Sequence, residues 1–213
     1  MNTTTALPNP SALPERDRLP WPGLLALAMA AFITVLTEAL PAGLLPQIGT
    51  SLGVSTSLVG QLVTLYAIGT LVTAIPLTTA TQGWRRKPLL LTAVAGFAIV
   101  NTVTAVSTSY ALTLAARFFA GVFAGLLWAL VAGYAARMVA ERLQGRAIAV
   151  VMVGIPLALS MGIPAGTFLG AFVGWRVAFG CLLVPLVAVL VLYALISKEA
   201  PGKRAPVTLV RYR

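Results

Sequence analysis

The stretch that decides the fold is residues 112–131, which read LTLAARFFAGVFAGLLWALV. Apart from Arg117 it contains no charge, and its length matches the ~20 residues with which a helix crosses a bilayer core of ~30 Å. Five further apolar segments of similar length surround it. We number all six as spans one to six in chain order: 24–45, 58–80, 89–106, 112–131, 148–169 and 177–196.

The composition favours a polytopic membrane protein. The chain is 59% apolar, 9% charged and has a mean hydropathy of +0.94. Such a chain is not a soluble domain with a large core. The segments are too long and too continuously apolar for the ~10-residue alternating strands of a membrane barrel, so each is predicted to be a helix. The sequence therefore predicts an all-α membrane protein with six transmembrane helices.

The basic residues predict the orientation. Thirteen of the fifteen Lys and Arg lie in the N-terminal tail, the second and fourth loops or the C-terminal tail. If the six spans cross the membrane one after another, all of these tails and loops lie on the same side. Basic residues favour the cytoplasmic side, so both termini are predicted to be cytoplasmic in the inner or plasma membrane. The net charge of +10 is spread over short loops beside apolar spans. The positive-inside rule and anionic lipid account for it, and no nucleic-acid partner is predicted.

Three regions follow from this reading. Residues 1–20 are rich in Pro and Thr and are predicted to be a disordered cytoplasmic tail, residues 21–196 the transmembrane domain, and residues 197–213 a second cytoplasmic tail. The motif Ala28-Met29-Ala30 is similar to a signal-peptidase site. The apolar run continues far beyond a signal peptide, so cleavage is not expected.

The residue types argue against resident cofactors and enzymatic chemistry. The chain has no His and one Cys, Cys181. These leave no zinc or haem ligands of ordinary type and no intrachain disulfide, so no metal or cofactor is predicted. The single intramembrane acid, Glu38, lacks a second acid or base with which to carry catalysis, so an enzyme is not expected.

Small residues recur at four-residue spacing in two spans. Arg117, Gly121 and Gly125 form one helical stripe in span four. A second stripe in span five consists of Gly162, Gly166 and Gly170, with Pro156 and Pro164 as predicted bends. Such stripes let helices approach closely. They either serve packing alone or provide a smooth face on which one helix moves against another.

The two halves of the chain share a tripeptide. Gly83-Trp84-Arg85 follows span two and Gly174-Trp175-Arg176 follows span five. Spans one to three and four to six would have opposite topology, so two inverted three-helix repeats are predicted, as in many transporters.

Four motifs carry a resemblance to the major facilitator superfamily, and in particular to its drug and sugar efflux members. Residues 37–55, from Thr37-Glu38 through Leu52-Gly53-Val54-Ser55, resemble the first span and outer loop. Residues 114–121 (LAARFFAG) resemble the fourth-span arginine motif, and residues 162–176 the fifth-span antiporter motif of Gly162, Pro164, Gly166 and Gly170. Arg85, Arg86 and Lys87 lie where the superfamily keeps a basic cytoplasmic signature.

The second-loop signature departs from the family pattern. The family has Asp and Gly ahead of its basic pair, and Thr81 and Trp84 occupy those places here. Arg85, Arg86 and Lys87 therefore either gate the cytoplasmic side or serve as topology anchors. The resemblance covers the first of the family's two six-span halves, between which the substrate binds.

Glu38 and Arg117 are predicted to share a level in the membrane. At ~1.5 Å per residue, Glu38 lies about 9 Å and Arg117 about 10 Å below the outer face. Intramembrane charges are costly and mark pathways or proton sites, and the resemblance implies the same roles here. The alternatives are a static structural pair or a Glu38 that extends to the outer surface. Gln61, Tyr66 and Asn101 are candidates either for the cavity wall or for interhelical hydrogen bonds.

Together these observations predict the N-terminal half of a proton-coupled exporter of small molecules that works by alternating access. Its expected partners are protons, lipid, a sugar, nucleoside or drug, and a second six-helix half or a second copy. A truncated, transport-inactive half or a regulatory membrane subunit is the alternative.

Overall fold

The computed structural model describes residues 19–81, 84 and 86–196. Within that part the chain is helical throughout, apart from short turns. The helices, in chain order, are α1 (Trp21–Gly43), α2 (Leu45–Leu52), α3 (Thr56–Ala80), α4 (Arg86–Val106), α5 (Tyr110–Arg137), α6 (Gln144–Met152), α7 (Gly154–Leu157), α8 (Ile163–Val173) and α9 (Trp175–Ile196). The predicted tails, except for residues 19 and 20, lie outside the described residues.

All six predicted spans coincide with helices. Five helical segments in the described part are long and apolar enough to cross a membrane, the fifth being the continuous stretch Glu141–Val173. The sixth is α9, of 22 residues, whose portion Trp175–Val189 counts as a shorter apolar helix. The chain is thus an all-α, multi-pass membrane protein.

The stretch between the first two predicted spans, residues 46–57, is not simply a loop, because the helix α2 (Leu45–Leu52) occupies most of it. Pro46 lies in the first turn of α2, where its missing N–H costs nothing. Gly53 ends the helix in the left-handed conformation, with φ 65°, which glycine adopts without strain. Ser55 then caps α3 by accepting a hydrogen bond from the Leu58 N–H at 3.3 Å.

Span five changes its helical form between the two prolines at which bends are predicted. A π-helical segment, Ala158–Gly162, separates α7, which contains Pro156, from α8, which begins with Ile163-Pro164. Proline lacks an N–H and its ring presses on the carbonyl four residues earlier, so a local widening of the helix between two prolines is expected. The Ser160 hydroxyl donates to the Pro156 carbonyl at 2.7 Å, which satisfies one backbone acceptor in this segment.

Glycines bring α3 and α5 together without intervening side chains. A Cβ at Gly121 would collide with the main-chain carbonyl of Tyr66, and one at Gly125 would lie 2.9 Å from the Thr70 carbonyl. Thr70 donates across the interface to the Gly121 carbonyl at 3.1 Å. In lipid, where no hydrophobic effect drives helices together, such backbone contact supplies the packing energy. The predicted stripe of Arg117, Gly121 and Gly125 is confirmed as the face of α5 that meets α3.

Gly121→Val is expected to destabilise the helix bundle by roughly 1–3 kcal/mol or more, because overpacking a close backbone contact forces the helices apart. Gly133→Val is the matched control on the same helix, since nothing lies within 4 Å of a Cβ there. Thermal unfolding of the purified protein in mild detergent measures the effect. Equal melting temperatures for the two variants would show that this packing carries no stability.

The second glycine stripe packs against α1. A Cβ at Gly162 would touch the Phe32 ring at 3.0 Å, one at Gly166 the Leu40 side chain at 2.8 Å, and one at Gly170 the Leu44 side chain at 2.7 Å. The stripe therefore faces the helix that contains Glu38.

Arg176 ties three elements together at one end of the bundle. Its guanidinium donates to the Ser51 hydroxyl of α2 and, at 2.9 Å, to the Ser107 carbonyl between α4 and α5. It also lies 4.5 Å from the centre of the Trp175 ring. The repeated tripeptide is not matched by similar surroundings, because Trp175 is 3% exposed and Trp84 is 64% exposed. Gly83 and Arg85 lie outside the described residues.

Candidate functional site

The candidate site is built around Arg117, which α5 places among α1, α3 and α5. The whole side chain is buried, with 0% exposure. Because Arg117 is one turn before Gly121 on the stripe that meets α3, its guanidinium lies where the helix backbones are closest. A buried arginine in a membrane protein requires partners, since an uncompensated charge there costs several kcal/mol.

The partners of the guanidinium are main-chain carbonyls and an aromatic ring. Nη2 donates to the Glu38 carbonyl oxygen at 3.3 Å, and Nε donates to the Leu62 carbonyl oxygen at 3.4 Å. The Cζ atom lies 4.5 Å from the centre of the Tyr66 ring, a cation–π contact. Nη1 is buried and has no hydrogen-bond partner among the described residues. Arg117 therefore joins α5 to both α1 and α3, while its Nη1 nitrogen has no partner among the described residues.

Glu38 lies at the same level as Arg117, in agreement with the depth count from the sequence. The contact is made by the Glu38 carbonyl and not by its carboxyl group. Within the described residues the carboxyl group forms no ion pair with Arg117, and the Glu38 side chain is only partly buried. The carboxyl group of Glu38 is therefore not used in the contact with Arg117, although it lies near that positive charge.

Tyr66 packs its ring against the Arg117 guanidinium in the interior of the bundle. Its ring is fully buried, and its hydroxyl donates to the Thr34 carbonyl of α1 at 3.3 Å. Tyr66 thus makes a hydrogen bond between α3 and α1.

Asn101 and Gln61 are not part of this cluster of contacts. Asn101 is buried in α4 and donates to the Phe97 carbonyl of its own helix at 2.7 Å, while its Oδ1 has no partner in the described part of the chain. Gln61 is exposed on α3, next to the Leu62 whose carbonyl binds Arg117.

The antiporter motif contributes a helix contact. Gly162, Gly166 and Gly170 face α1 and touch Phe32, Leu40 and Leu44, so their contacts lie on both sides of Glu38 along α1. Pro164 is exposed. Arg85 of the cytoplasmic loop signature lies outside the described residues, and so do the side chains of Arg86 and Lys87.

The arrangement suits proton exchange and anion recognition. Among the residues that the structure describes, no group of three or more His, Cys, Asp or Glu side chains could hold a metal. One acid beside a buried guanidinium provides a group that can be neutral or charged, and a donor that favours a negative partner.

Sequence reasoning did not find two features of the site. The acceptors for Arg117 and Tyr66 are main-chain carbonyls, which no residue type marks. Arg176 was noted in the sequence only as part of the repeated tripeptide, and its partners Ser51 and Ser107 carried no distinguishing signal.

Comparison with known proteins agrees with this architecture. The family model described as Major Facilitator Superfamily matches residues 27–211. The chain is 33% identical over 205 residues to the transcription regulatory protein OpdE of Pseudomonas aeruginosa, which corresponds to 96% of this chain and 51% of that protein. It is 36% identical over 158 residues to a chloramphenicol efflux pump of Mycobacterium tuberculosis, or 74% of this chain and 38% of the pump.

Solved structures show the same fold. The proton:xylose symporter XylE, bound to 6-bromo-6-deoxy-D-glucose, superimposes with a TM-score of 0.72 at 16% identity, covering 83% of this chain and 44% of that one. An inward-open structure of the xylose transporter XylE from E. coli gives a TM-score of 0.70. The chain thus spans about half the length of the relatives it matches, or less.

Proposed function

The chain belongs to the Major Facilitator Superfamily, and from that membership we propose that it forms one six-helix half of a proton-coupled exporter of small molecules. The observation that carries the proposal is the buried Arg117, held against the main chain of Glu38, with its Nη1 nitrogen unpaired among the described residues. A buried charge without a full set of partners is retained where function requires it. The efflux pumps among the relatives support export as the direction of transport.

In the proposed cycle Glu38 carries the proton. It takes up a proton when the cavity opens to the outside, and the loss of its charge releases the substrate. After the cavity reopens to the cytoplasm, the proton leaves and the next substrate binds. Arg117 supplies a positive charge near Glu38 once the proton has left, so the proton-loaded and substrate-loaded forms remain distinct.

Movement between the two states would come from one six-helix unit rocking against another. Large apolar side chains are exposed along α3 and α8, among them Leu71 at 74% and Phe172 at 75%. Lipid accounts for part of this surface. We assign the part next to the partly buried Glu38 side chain to a second six-helix unit, either another copy or a different half, because lipid cannot compensate a charge on its carboxyl group.

The substrate is proposed to be a small organic molecule, and chloramphenicol is the first compound to test. The supporting fact is the 36% identity to a pump that is named for chloramphenicol efflux. Accumulation of radiolabelled chloramphenicol, in cells that contain the second six-helix unit and either contain or lack the protein, tests the proposal, with a protonophore added to remove the driving force. Lower accumulation that the protonophore abolishes is the expected result, and accumulation equal to that of control cells would count against it.

A regulatory membrane subunit is the second candidate function. It is favoured by the 33% identity over nearly the whole chain to a protein named as a transcription regulatory protein. Altered gene expression in cells that carry the transport-inactive Glu38→Gln variant would support this candidate over the exporter.

For the topology we propose that both termini are cytoplasmic. A cysteine at Thr50 is then expected to react with an impermeant thiol reagent outside intact cells, and one at Gln144 is not, because the basic loops stay inside. The background is Cys181→Ser, so that the native thiol does not react. Labelling of Gln144→Cys from outside would reverse the orientation.

A further inference from the structure

We propose that Tyr66 and Arg117 act as one unit that holds the turn of α1 between Thr34 and Glu38, with Tyr66 as the positioning residue of that unit. The inference rests on the proposed function, because it concerns how the Glu38 carboxyl group is aimed. In this proposal Tyr66 acts by holding the Arg117 guanidinium in place and does not line a cavity.

The two contacts to α1 lie one helical turn apart. The Tyr66 hydroxyl donates to the Thr34 carbonyl at 3.3 Å, and Arg117 Nη2 donates to the Glu38 carbonyl at 3.3 Å. In an α-helix the carbonyl of residue 34 accepts the N–H of residue 38. Side chains from α3 and α5 therefore bind the main-chain carbonyls at the start and the end of the single helical turn that carries Glu38.

This turn needs support because of a proline just beyond it. Pro41 lies inside α1 and has no N–H, so the Thr37 carbonyl lacks its usual donor. A helix is weakened and bends most easily at such a position. Contacts from outside α1 then decide which way the turn, and with it the carboxyl group of Glu38, is oriented.

The ring of Tyr66 also fixes the plane of the guanidinium. Arg117 Cζ lies 4.5 Å from the ring centre, and both side chains are fully buried. A cation over the face of an aromatic ring is attracted most when water is excluded. The stack aims Nη2 at Glu38 and Nε at Leu62. Close packing of Gly121 on the Tyr66 carbonyl keeps the tyrosine itself in place.

Infrared spectroscopy tests the proposal on the purified full chain in lipid nanodiscs, without need of a substrate. The carboxyl or carboxylate band of Glu38 is identified as the band that Glu38→Gln removes. Tyr66→Leu removes both the ring and the hydroxyl and is expected to shift this band. Tyr66→Phe keeps the aromatic ring against the guanidinium and is expected to shift the Glu38 band less than Tyr66→Leu does.

Tyr110→Leu is the matched control. The Tyr110 hydroxyl donates to the Leu58 carbonyl at 2.9 Å, so it also joins α5 to α3 through a main-chain acceptor, but no contact to Arg117 is present. The control is expected to leave the Glu38 band unchanged. A band that is the same in Tyr66→Leu as in the unchanged protein would overturn the proposal, whereas melting temperatures alone would not separate a positioning role from a structural one.

Transport adds an independent measurement. Proton-driven chloramphenicol efflux is expected to fall about tenfold in Tyr66→Leu, mainly in the maximal rate, and to be largely restored in Tyr66→Phe. In an Arg117→Lys background Tyr66→Leu should cause little further loss, because the two side chains act together. If Glu38→Gln exports normally, the proposed function fails. If only Glu38→Gln is inactive and Tyr66→Leu matches Tyr110→Leu, the positioning role alone fails.

Discussion

Glu38→Gln is expected to abolish proton-driven efflux and to leave membrane insertion intact. The amide keeps the size and polarity of the side chain, and the Arg117 contact is to the main-chain carbonyl of residue 38, which the substitution does not remove. The substitution removes the ability of the side chain to bind and release a proton. Because Glu38 is the only acid within the six predicted spans, no other side chain can take over the proton. Efflux in cells, normalised to the amount of protein in the membrane, measures the effect.

Glu141→Gln provides the control for this variant. It is the same acid-to-amide change at an exposed residue in the turn before α6. Its efflux should equal that of the unchanged protein. Undiminished efflux in Glu38→Gln would exclude Glu38 as the proton carrier.

Arg117→Lys is expected to lower the same efflux about tenfold or more, since a charged hydrogen bond in a buried site contributes roughly 1.5–3 kcal/mol. An ammonium group is compact and cannot stack on Tyr66 while it donates to carbonyls of two helices. Arg137→Lys is the control, because Arg137 is an exposed arginine at the end of the same helix. Equal efflux from the two lysine variants would mean that only the positive charge at residue 117 matters.

The six spans could be predicted because a bilayer imposes both a length and a composition on a helix. The segments 58–80 and 177–196 differ from α3 and α9 by only two residues at their starts. α2 was not predicted, because a helix of eight residues is too short to have the length and composition of a membrane span. Pro46 and Gly53 became interpretable as its first turn and its end only once the helix was observed.

The pairing of Glu38 with Arg117 could be predicted in part. Counting residues from the membrane boundary placed both at one depth, and four-residue spacing placed Arg117 on the stripe with Gly121. The sequence gives no means of choosing between the carboxyl group and the carbonyl of Glu38 as the partner, because both belong to the same residue. The link from Tyr66 to Thr34 likewise depends on main-chain geometry.

The π-helical segment in span five was predicted only as a bend. Pro156 and Pro164 indicate where regular hydrogen bonding fails, but the form that the backbone takes there depends on packing. In this chain Gly154 and Gly162, before and at the end of the π-helical segment, both lie against Phe32 and its neighbours in α1, so this part of span five packs on that helix.

Coupled movement of protons and substrate is the central claim, and one measurement tests it directly. The protein, together with its second six-helix unit, is reconstituted in vesicles that contain a pH-sensitive dye and chloramphenicol, and these are diluted into drug-free buffer of equal pH. Exit of the drug should drive protons inward and acidify the lumen at a rate above passive leak, and Glu38→Gln should remove this acidification while Glu141→Gln keeps it. Drug exit through the protein without any change in lumen pH, or equal acidification with Glu38→Gln, would contradict the account.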